Sequence, residues 1–128
     1  MNDRFRFRAW NKEDNKMYEA EGVYAYKDES TNGGEVFLKG VKTSYYFPEQ
    51  VELMQCTGLK DKNGQLIYEG DIVKINNVSL GKVVFRTCAF FVQFSKDKYH
   101  AGGIGAYEER ELEVIGNIYE NKELLEVK

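Results

Sequence analysis

Apolar and polar residues alternate along much of this chain with a period of two, which is typical of β-strands that bury one face. The clearest example is the first predicted strand, at residues 4–10. One face of this strand is predicted to carry Phe5, Phe7 and Ala9, and the other face Arg4, Arg6, Arg8 and Trp10. The polar run NKEDNK at residues 11–16 predicts a turn, and Met17 and Tyr18 begin the return strand.

The pattern weakens between residues 19 and 52. Short apolar runs predict strands at residues 23–26, 35–39 and 43–47. The sequence STNGG at residues 30–34 predicts a flexible turn. Pro48 closes the third of these strands, and a short helix that begins near Pro48 is the alternative, because proline is favoured at the first position of a helix. Residues 51–54 lead into the next stretch.

The densest turn chemistry lies between Gln55 and Ile75, where the sequence predicts a hairpin that runs into a second strand. Asp61 and Gly64 occupy the first and fourth positions of a type I turn, and Gly64 can adopt a positive φ as a bulge residue. A two-residue type I′ turn on Asn63 and Gly64 is the alternative, and it would shift the strand register by one residue.

A bend is predicted at Gly70, between two strand-forming runs. Gly70 lies between Glu69 and Asp71, and glycine is the residue that accepts the dihedrals of a sharp bend at low cost. The carboxylate of Asp71 can accept hydrogen bonds from backbone N–H groups at that bend. The four residues predicted to shape this stretch are Asn63, Gly64, Gly70 and Asp71.

Three further strands are predicted after a turn at Asn76 and Asn77. Two of them, at residues 81–85 and 88–94, join near Arg86 and Thr87, and a closing strand covers residues 112–116. In the second strand Phe90, Val92 and Phe94 share one face, which leaves Phe91 on the other. Phe91 is either covered by the N-terminal half or exposed for a partner, and we favour the covered state.

Three blocks of this sequence resemble the YopX family of phage and prophage proteins. They are FRAW at residues 7–10, the run from Thr57 to Val73 that contains TGLKDKNG and YEGDIV, and EVIGNIYEN at residues 113–121. The resemblance implies a β-rich protein with an SH3-like barrel in its C-terminal half and no assigned biochemical activity. We therefore predict a mainly β fold with little helix, with an N-terminal β-rich subdomain at residues 1–54 and an SH3-like barrel subdomain at residues 55–128.

Composition agrees with a small β protein. The chain has 128 residues, nine tyrosines, eight phenylalanines and one proline, and aromatic side chains suit a pleated surface. The net charge of −3 is unevenly distributed, with +2 on residues 1–16, −4 on 17–54, +3 on 55–107 and −4 on 108–128. We expect acidic segments to face basic ones, within or between subunits, rather than a groove for nucleic acid.

The sequence also predicts a location. No apolar run approaches the ~20 residues that span a bilayer, and the N-terminus lacks the apolar core of a signal peptide. We therefore expect a soluble protein of the bacterial cytoplasm with no membrane partner. In that compartment Cys56 and Cys88 are expected to be reduced, buried thiols rather than a disulfide.

Candidate catalytic groups are few. His100 is the one histidine, and a surface role is the better interpretation of its position beside a glycine-rich loop. Gly103-Ile104-Gly105 lacks the third glycine of a phosphate loop and is followed by acidic residues. Glu69 and Asp71 could form a carboxylate pair, but a bend at Gly70 is the better account. We predict no catalytic residue, no cofactor, no metal site and no enzymatic activity.

Two classes of function remain. The favoured one is a non-enzymatic accessory module for protein interaction or self-assembly, with a homo-oligomer or an unknown phage or host protein as the partner. Its candidate partner-binding residues are Arg4, Arg6, Arg8, Trp10 and Phe91. The alternative is a small-barrel nucleic-acid-binding protein that stacks bases on aromatic side chains and holds phosphates with Arg4, Arg6, Arg8, Lys82 and Arg86.

Overall fold

The computed structural model describes residues 2–25, 33–41, 46–95, 98–99 and 102–126. Its strands are β1 (Phe7–Asn11), β2 (Lys16–Ala25), β3 (Gly34–Leu38), β4 (Val51–Lys60), β5 (Leu66–Tyr68), β6 (Asp71–Ile75), β7 (Ser79–Arg86), β8 (Ala89–Ser95), β9 (Lys98–Tyr99) and β10 (Leu112–Asn117). The α-helix α1 (Glu123–Glu126) has one turn, and short 3₁₀ helices cover Asp3–Phe5, Pro48–Gln50, Ile104–Ala106 and Glu109–Glu111. The prediction of a mainly β protein with little helix is confirmed, and the strand pairs among the described residues are antiparallel.

The chain divides into two compact units. Unit 1 comprises Met1–Arg4 and Cys56–Lys128, and unit 2 comprises Phe5–Gln55. The sequence placed a boundary between residues 54 and 55, and the existence of two independent subdomains stays a prediction. Strand β4 contributes its first half to unit 2 and its second half to unit 1.

In unit 2 the strands pair in the order β3-β2-β1-β4. The polar turn after β1 is confirmed, because β1 ends at Asn11 and β2 begins at Lys16. One face of the sheet carries a buried cluster that consists of Ala9, Val36, Leu38, Tyr46 and Val51. These apolar side chains hold unit 2 together, since burial of apolar surface is the main favourable term in folding.

The first strand is shorter than the alternation predicted. Residues Asp3–Phe5 form a 3₁₀ helix, and pairing with β2 and β4 begins at Phe7. The Asn2 side chain accepts a hydrogen bond from the Arg4 N–H (3.1 Å), which favours a turn over an extended chain. Phe5 is therefore 53% exposed, rather than part of a buried strand face.

The weak middle segment is partly outside the described residues. The sequence predicts a separate strand that begins at residue 23. This start is wrong, because residues 23–25 are the end of β2, which continues unbroken from Lys16 to Ala25. Strand β3 confirms the prediction at residues 35–39, and Gly40 ends it with φ +82°. The predicted turn at 30–34 and the predicted strand at 43–47 lie mostly outside the described residues, although Tyr46 bridges to Val36. A 3₁₀ helix starts at Pro48, as the alternative for this proline suggested.

In unit 1 the sheet order is β10-β6-β7-β8-β9, and the second half of β4 pairs with β5. The buried core consists of Ile67, Val73, Ile75, Val83, Val92, Ile104 and Leu112. The predicted strands after residue 75 are confirmed as β7, β8 and β10. Cys56 is buried and in no disulfide, as expected, but Cys88 is exposed because it lies in the turn between β7 and β8.

The hairpin at Asp61–Gly64 has the predicted type I form. The Gly64 N–H donates to the Asp61 carbonyl (3.0 Å), and Gly64 has φ +80°. Among the described residues Asn63 is not one of those with positive φ, which excludes the type I′ alternative. The register of the hairpin is therefore set by a bulge at Gly64.

The predicted bend at Gly70 is also confirmed. Gly70 has φ +89°, and its N–H donates to the Val83 carbonyl (2.8 Å). Asp71 is 1% exposed, and its carboxylate accepts a hydrogen bond from the Tyr68 N–H (2.8 Å). The buried carboxylate of Asp71 therefore stabilises the bend by accepting a backbone hydrogen bond there.

Candidate interaction surface

One face of the β7–β8 hairpin brings together several residues that the sequence singled out. Lys82 lies opposite Gln93, Val84 opposite Phe91, and Arg86 opposite Ala89. Directly opposed residues of an antiparallel pair project to the same side of the sheet. We call this set the β7–β8 face, and it consists of Lys82, Val84, Arg86, Ala89, Phe91 and Gln93. It combines two cations with an aromatic ring.

Within this face the Arg86 guanidinium lies over the Phe91 ring, at 6.0 Å from the ring centroid. A cation over an aromatic face is attracted by the ring quadrupole, by about 0.5–1 kcal/mol at an exposed site. Phe91 is half-buried, so it is neither fully covered nor fully exposed. That the N-terminal half covers Phe91 stays a prediction.

The tip of the same hairpin has an unusual backbone. Thr87 (φ 45°) and Cys88 (φ 64°) form its two-residue loop, and both have the positive φ of a type I′ turn. Such turns match the twist of the flanking strands, although side chains other than glycine, asparagine or aspartate adopt them at a cost. Phe85 lies just before the loop and is 53% exposed, with its ring against that of Phe90 (5.0 Å between centroids). The tip therefore presents an aromatic side chain to solvent.

A groove borders the β7–β8 face on the side of α1. It is lined by Lys82, Gln93, Phe94, Ser95 and Leu125 and has a volume of about 340 Å³. In the part of the chain that the structure describes, the Lys82 ammonium forms no ion pair. The Phe94 side chain projects to the opposite side, against the unit 1 core, so the groove combines the Lys82 cation with an apolar wall from Leu125.

The N-terminal arginines do not form the single strand face that the alternation predicted. Arg4 is exposed in the 3₁₀ helix, Arg6 is exposed before β1, and Arg8 is half-buried within β1. Arg8 lies opposite Glu19 of β2, and Glu19 also pairs with Lys39 (3.4 Å).

Trp10 shares the Arg8 face of β1. It is half-buried and lies opposite Met17 and Glu52. Of the predicted partner-binding residues, Arg8 and Trp10 are thus brought together in unit 2, and Phe91 lies in unit 1. The role of each in binding stays a prediction.

Sequence reasoning missed the full role of Asp61. This residue is 1% exposed, and its carboxylate accepts hydrogen bonds from the N–H groups of Asn63, Gln65 and Val114, each at 2.9 Å. A buried carboxylate is tolerated when its oxygens are satisfied in this way. The sequence indicated the turn, but the contact with β10 joins residues 53 positions apart and has no local signal.

Among the described residues, the candidate catalytic groups named from the sequence have structural roles. Asp71 is committed to the bend, as given above, and Ile104 of the Gly-Ile-Gly run is 3% exposed and belongs to the core of unit 1. Gly103 has φ +77° and precedes a 3₁₀ helix. His100 lies outside the described residues. In the described ranges no group of three or more His, Cys, Asp or Glu side chains is placed to hold a metal ion, and no helix is long and apolar enough to cross a membrane.

Two titratable groups near β10 have shifted pKa values. Burial against the unit 1 core raises the pKa of Tyr107 to about 12, and the negative charge of Glu111 adds to the shift. The pKa of Glu111 is lowered, first by the hydrogen bond from the Glu108 N–H (2.8 Å) and then by one from the Asn76 side chain (3.3 Å). Both shifts follow from local packing and hydrogen bonding.

Together these features define a class of small, mainly β proteins in which buried carboxylates shape the turns and an aromatic hairpin is exposed. The family described as YopX protein matches residues 6–126. The chain belongs to the YopX family.

Solved structures agree with this assignment. The chain is similar to protein yopX from Bacillus subtilis, at 25% identity and a TM-score of 0.66, over 100% of this chain and 99% of that one. It is also similar to protein EF1440 from Enterococcus faecalis, at 28% identity and a TM-score of 0.64, over 94% of this chain and 96% of that one. Among curated proteins, none matches.

Proposed function

We propose that this protein is a non-enzymatic accessory module for self-assembly or protein interaction in the bacterial cytoplasm, of phage or prophage origin. The contact surface is the tip of the β7–β8 hairpin. The observation that carries the proposal is the 53% exposure of Phe85 at that tip. The partner is a second copy of the chain or a phage or host protein.

An exposed aromatic ring on a hairpin is suited to binding. The Phe85 ring packs edge-on against Phe90, so its rotation is already restricted and little further side-chain entropy is lost on contact. Arg86 follows directly but projects to the other side of the sheet, over Phe91, so the tip offers an aromatic ring on one side and a cation on the other. Aromatic side chains and arginine are the residues most enriched at the energetic centres of protein interfaces.

Hydrogen bonds at the edge of β10 support a barrel in unit 1. The Lys62 N–H donates to the Leu112 carbonyl (2.9 Å), and the Val114 N–H donates to Asp61. A segment that pairs with an edge strand is what closure of a sheet requires. We infer that unit 1 is an SH3-like barrel. With the β10 edge engaged, the β7–β8 tip is the better surface for a partner.

Nucleic-acid binding is the second candidate. One observation favours it, namely that Lys82, Arg86 and Phe91 lie on the same face of the hairpin. Two phosphate contacts imply a slope of log K against log salt of about −2 on duplex. The three N-terminal arginines are not on one strand face, and the net charge of −3 disfavours a polyanion.

Light scattering coupled to gel filtration tests self-assembly. We expect the mass of the protein to rise with concentration and Phe85→Ser to lower it. Val78→Ser is the matched control, because Val78 is 85% exposed on a turn of the same sheet and should leave the mass unchanged. If the protein is monomeric at every concentration, we expect wild-type protein, but not Phe85→Ser, to retain a protein from infected host cells.

The proposal fails if neither self-association nor Phe85-dependent retention is found. It also fails if binding to DNA or RNA at near-physiological salt is abolished by Lys82→Gln with Arg86→Gln, since that result selects the second candidate. The triple variant Arg4→Gln, Arg6→Gln, Arg8→Gln separates an N-terminal site from the hairpin. We expect this triple variant to lose no binding. Its stability should fall by at most about 1 kcal/mol for each exposed ion pair that an arginine forms with a carboxylate.

A further inference from the structure

We propose that the groove beside α1 binds an extended protein segment in which an acidic side chain follows an aliphatic one. This inference deepens the proposed interaction role and rests on it, because the ligand is a protein segment. The acidic side chain would contact Lys82, and the aliphatic side chain would pack against Leu125. Nothing in the hairpin tip itself is needed for this contact.

In the part of the chain that the structure describes, three elements of unit 1 line the groove. Strand β7 supplies Lys82, β8 supplies the consecutive residues Gln93, Phe94 and Ser95, and α1 supplies Leu125. Lys82 and Gln93 are directly opposed across the two strands, so the ammonium and the amide leave the sheet on the same side. An acceptor placed there can reach both kinds of donor.

The charge of the groove selects the sign of the ligand. In the sheet Lys82 is flanked by Ile72 of β6 and Gln93 of β8, and neither neighbour is charged. Its ammonium forms no ion pair in the described ranges, and the side chain is half-buried. A half-buried cation gains more from an incoming carboxylate than a fully solvated one, because screening by water is weaker.

The shape of the groove favours a peptide over a small molecule. Sites for small molecules enclose 70–90% of the ligand and have volumes of about 300–1,000 Å³. This groove is at the lower end of that range at about 340 Å³, and its walls are open, since Ser95 is exposed and the other lining residues are half-buried. An extended segment can place two side chains in such a groove while its backbone stays at the rim.

Binding is tested by NMR with ¹⁵N-labelled full-length protein and the synthetic peptide acetyl-Gly-Leu-Glu-Gly-amide. We expect saturable shifts at the amides of Gln93, Phe94 and Ser95. The matched peptide with Gln in place of Glu should bind about fivefold more weakly, which is the size of one partly screened ion pair. A peptide with Ala in place of Leu should also be weaker.

Protein variants assign the contacts. Lys82→Gln should remove the preference for Glu over Gln, and Leu125→Ala should weaken both peptides equally. Lys74→Gln is the matched control, because Lys74 is also half-buried on the same sheet but does not line the groove. It should bind within about twofold of wild type.

Equal affinity for the Glu and Gln peptides would overturn the inference, as would shifts confined to residues away from the groove. If 4-methylpentanoate binds Lys82 as tightly as the peptide, the site takes small carboxylates and the peptide class is wrong. The experiments distinguish failure of the groove inference from failure of the proposed role of the β7–β8 tip. Lys82-dependent peptide binding without Phe85-dependent association would leave the groove as the interaction site, and the reverse result would leave only the hairpin.

Discussion

Unit 1 and unit 2 are both antiparallel β structures, but they satisfy the polar groups of their turns differently. In unit 1 the carboxylate of Asp61 accepts N–H groups from its own turn and from β10, 53 residues away. Among the described residues of unit 2 the buried polar side chain is Asn11, 2% exposed, whose oxygen accepts a hydrogen bond from the Glu13 N–H two residues on (3.0 Å). The first contact joins distant strands, whereas the second orders a single turn.

The buried cores of the two units also differ in the size and polarity of their side chains. The buried cluster of unit 1 consists of branched aliphatic side chains from strands β5, β6, β7, β8 and β10 and from the 3₁₀ helix at Ile104. The cluster of unit 2 includes Ala9 and the partly polar Tyr46. Because stabilisation grows with the apolar area buried, each core residue of unit 1 contributes more on average. Substitutions at the polar anchors should therefore have larger and more widespread effects in unit 1.

The largest effect is expected for Asp61→Ala, which removes the acceptor of three backbone N–H groups. A buried donor left unsatisfied costs about 1–3 kcal/mol, and Asn63 and Gln65 are exposed enough for water to reach their N–H groups, so we expect a loss of about 3 kcal/mol in total. Asp61→Asn keeps one oxygen and should lose less, and Lys60→Ala, at an exposed neighbouring position, should be near neutral. Urea unfolding measures the loss, and residue-resolved hydrogen exchange shows whether it is confined to unit 1. A change below 1 kcal/mol would mean that water replaces the carboxylate.

The next effect is expected for Gly70→Val. Gly70 has φ +89°, and a β-branched residue adopts this conformation at a cost of about 1–3 kcal/mol. Gly105→Ala is the control, since no atom lies within 4 Å of its added methyl group and its φ is not positive. Thermal unfolding compares the two. An unchanged melting temperature for Gly70→Val would show that the bend tolerates ordinary side chains.

A smaller effect is expected in unit 2 for Asn11→Ala. The variant loses one hydrogen bond to the Glu13 N–H, which is worth about 1 kcal/mol. Glu13→Ala is the matched control, because its backbone donor is retained and its side chain is exposed. Faster hydrogen exchange should be limited to the β1–β2 turn. A loss equal to that of Asp61→Ala would remove the contrast between the two units.

The last effect is a pH dependence, which is absent at neutral pH and appears only in alkaline solution. The folded-state pKa of Tyr107 is raised from 10 to about 12, mainly by burial, so its proton is held more tightly in the folded protein. The contribution is present below pH 10 and is lost as pH rises from 10 to about 12. Tyr107→Phe should flatten the alkaline decline of the urea midpoint and should parallel the wild type below pH 9.

Tyr18 in unit 2 is the counterpart of Tyr107. Its pKa is raised mainly by its hydrogen bond to Asp14, and secondarily by burial. The Tyr18 ring is only partly buried at the edge of the unit 2 cluster, so Tyr18→Phe should change the alkaline profile less than Tyr107→Phe. A larger change for Tyr18→Phe would reverse the comparison between the units at high pH.

The sequence by itself determined the strand-rich character of the chain, the family, and the turns at Asp61–Gly64, Gly70–Asp71 and Asn76–Asn77. These features were readable because they depend on neighbours only a few residues apart. Alternation has a period of two, and a positive φ favours glycine or asparagine. These three turns of unit 1 use such residues, whereas the turn at Thr87 and Cys88 does not and has no comparable signal in the sequence.

Tertiary structure alone decided where strands end and which surfaces result. The alternation at residues 4–10 continues beyond the strand, because pairing with β2 and β4 starts at Phe7. The sequence singles out Lys82, Arg86 and Phe91 individually. It does not show the register that places Lys82 opposite Gln93 and Arg86 opposite Ala89 and so joins them into the β7–β8 face. The reach of Asp61 to β10 and the wall that Leu125 adds to the groove depend on contacts between distant parts of the chain, for which the sequence carries no local pattern.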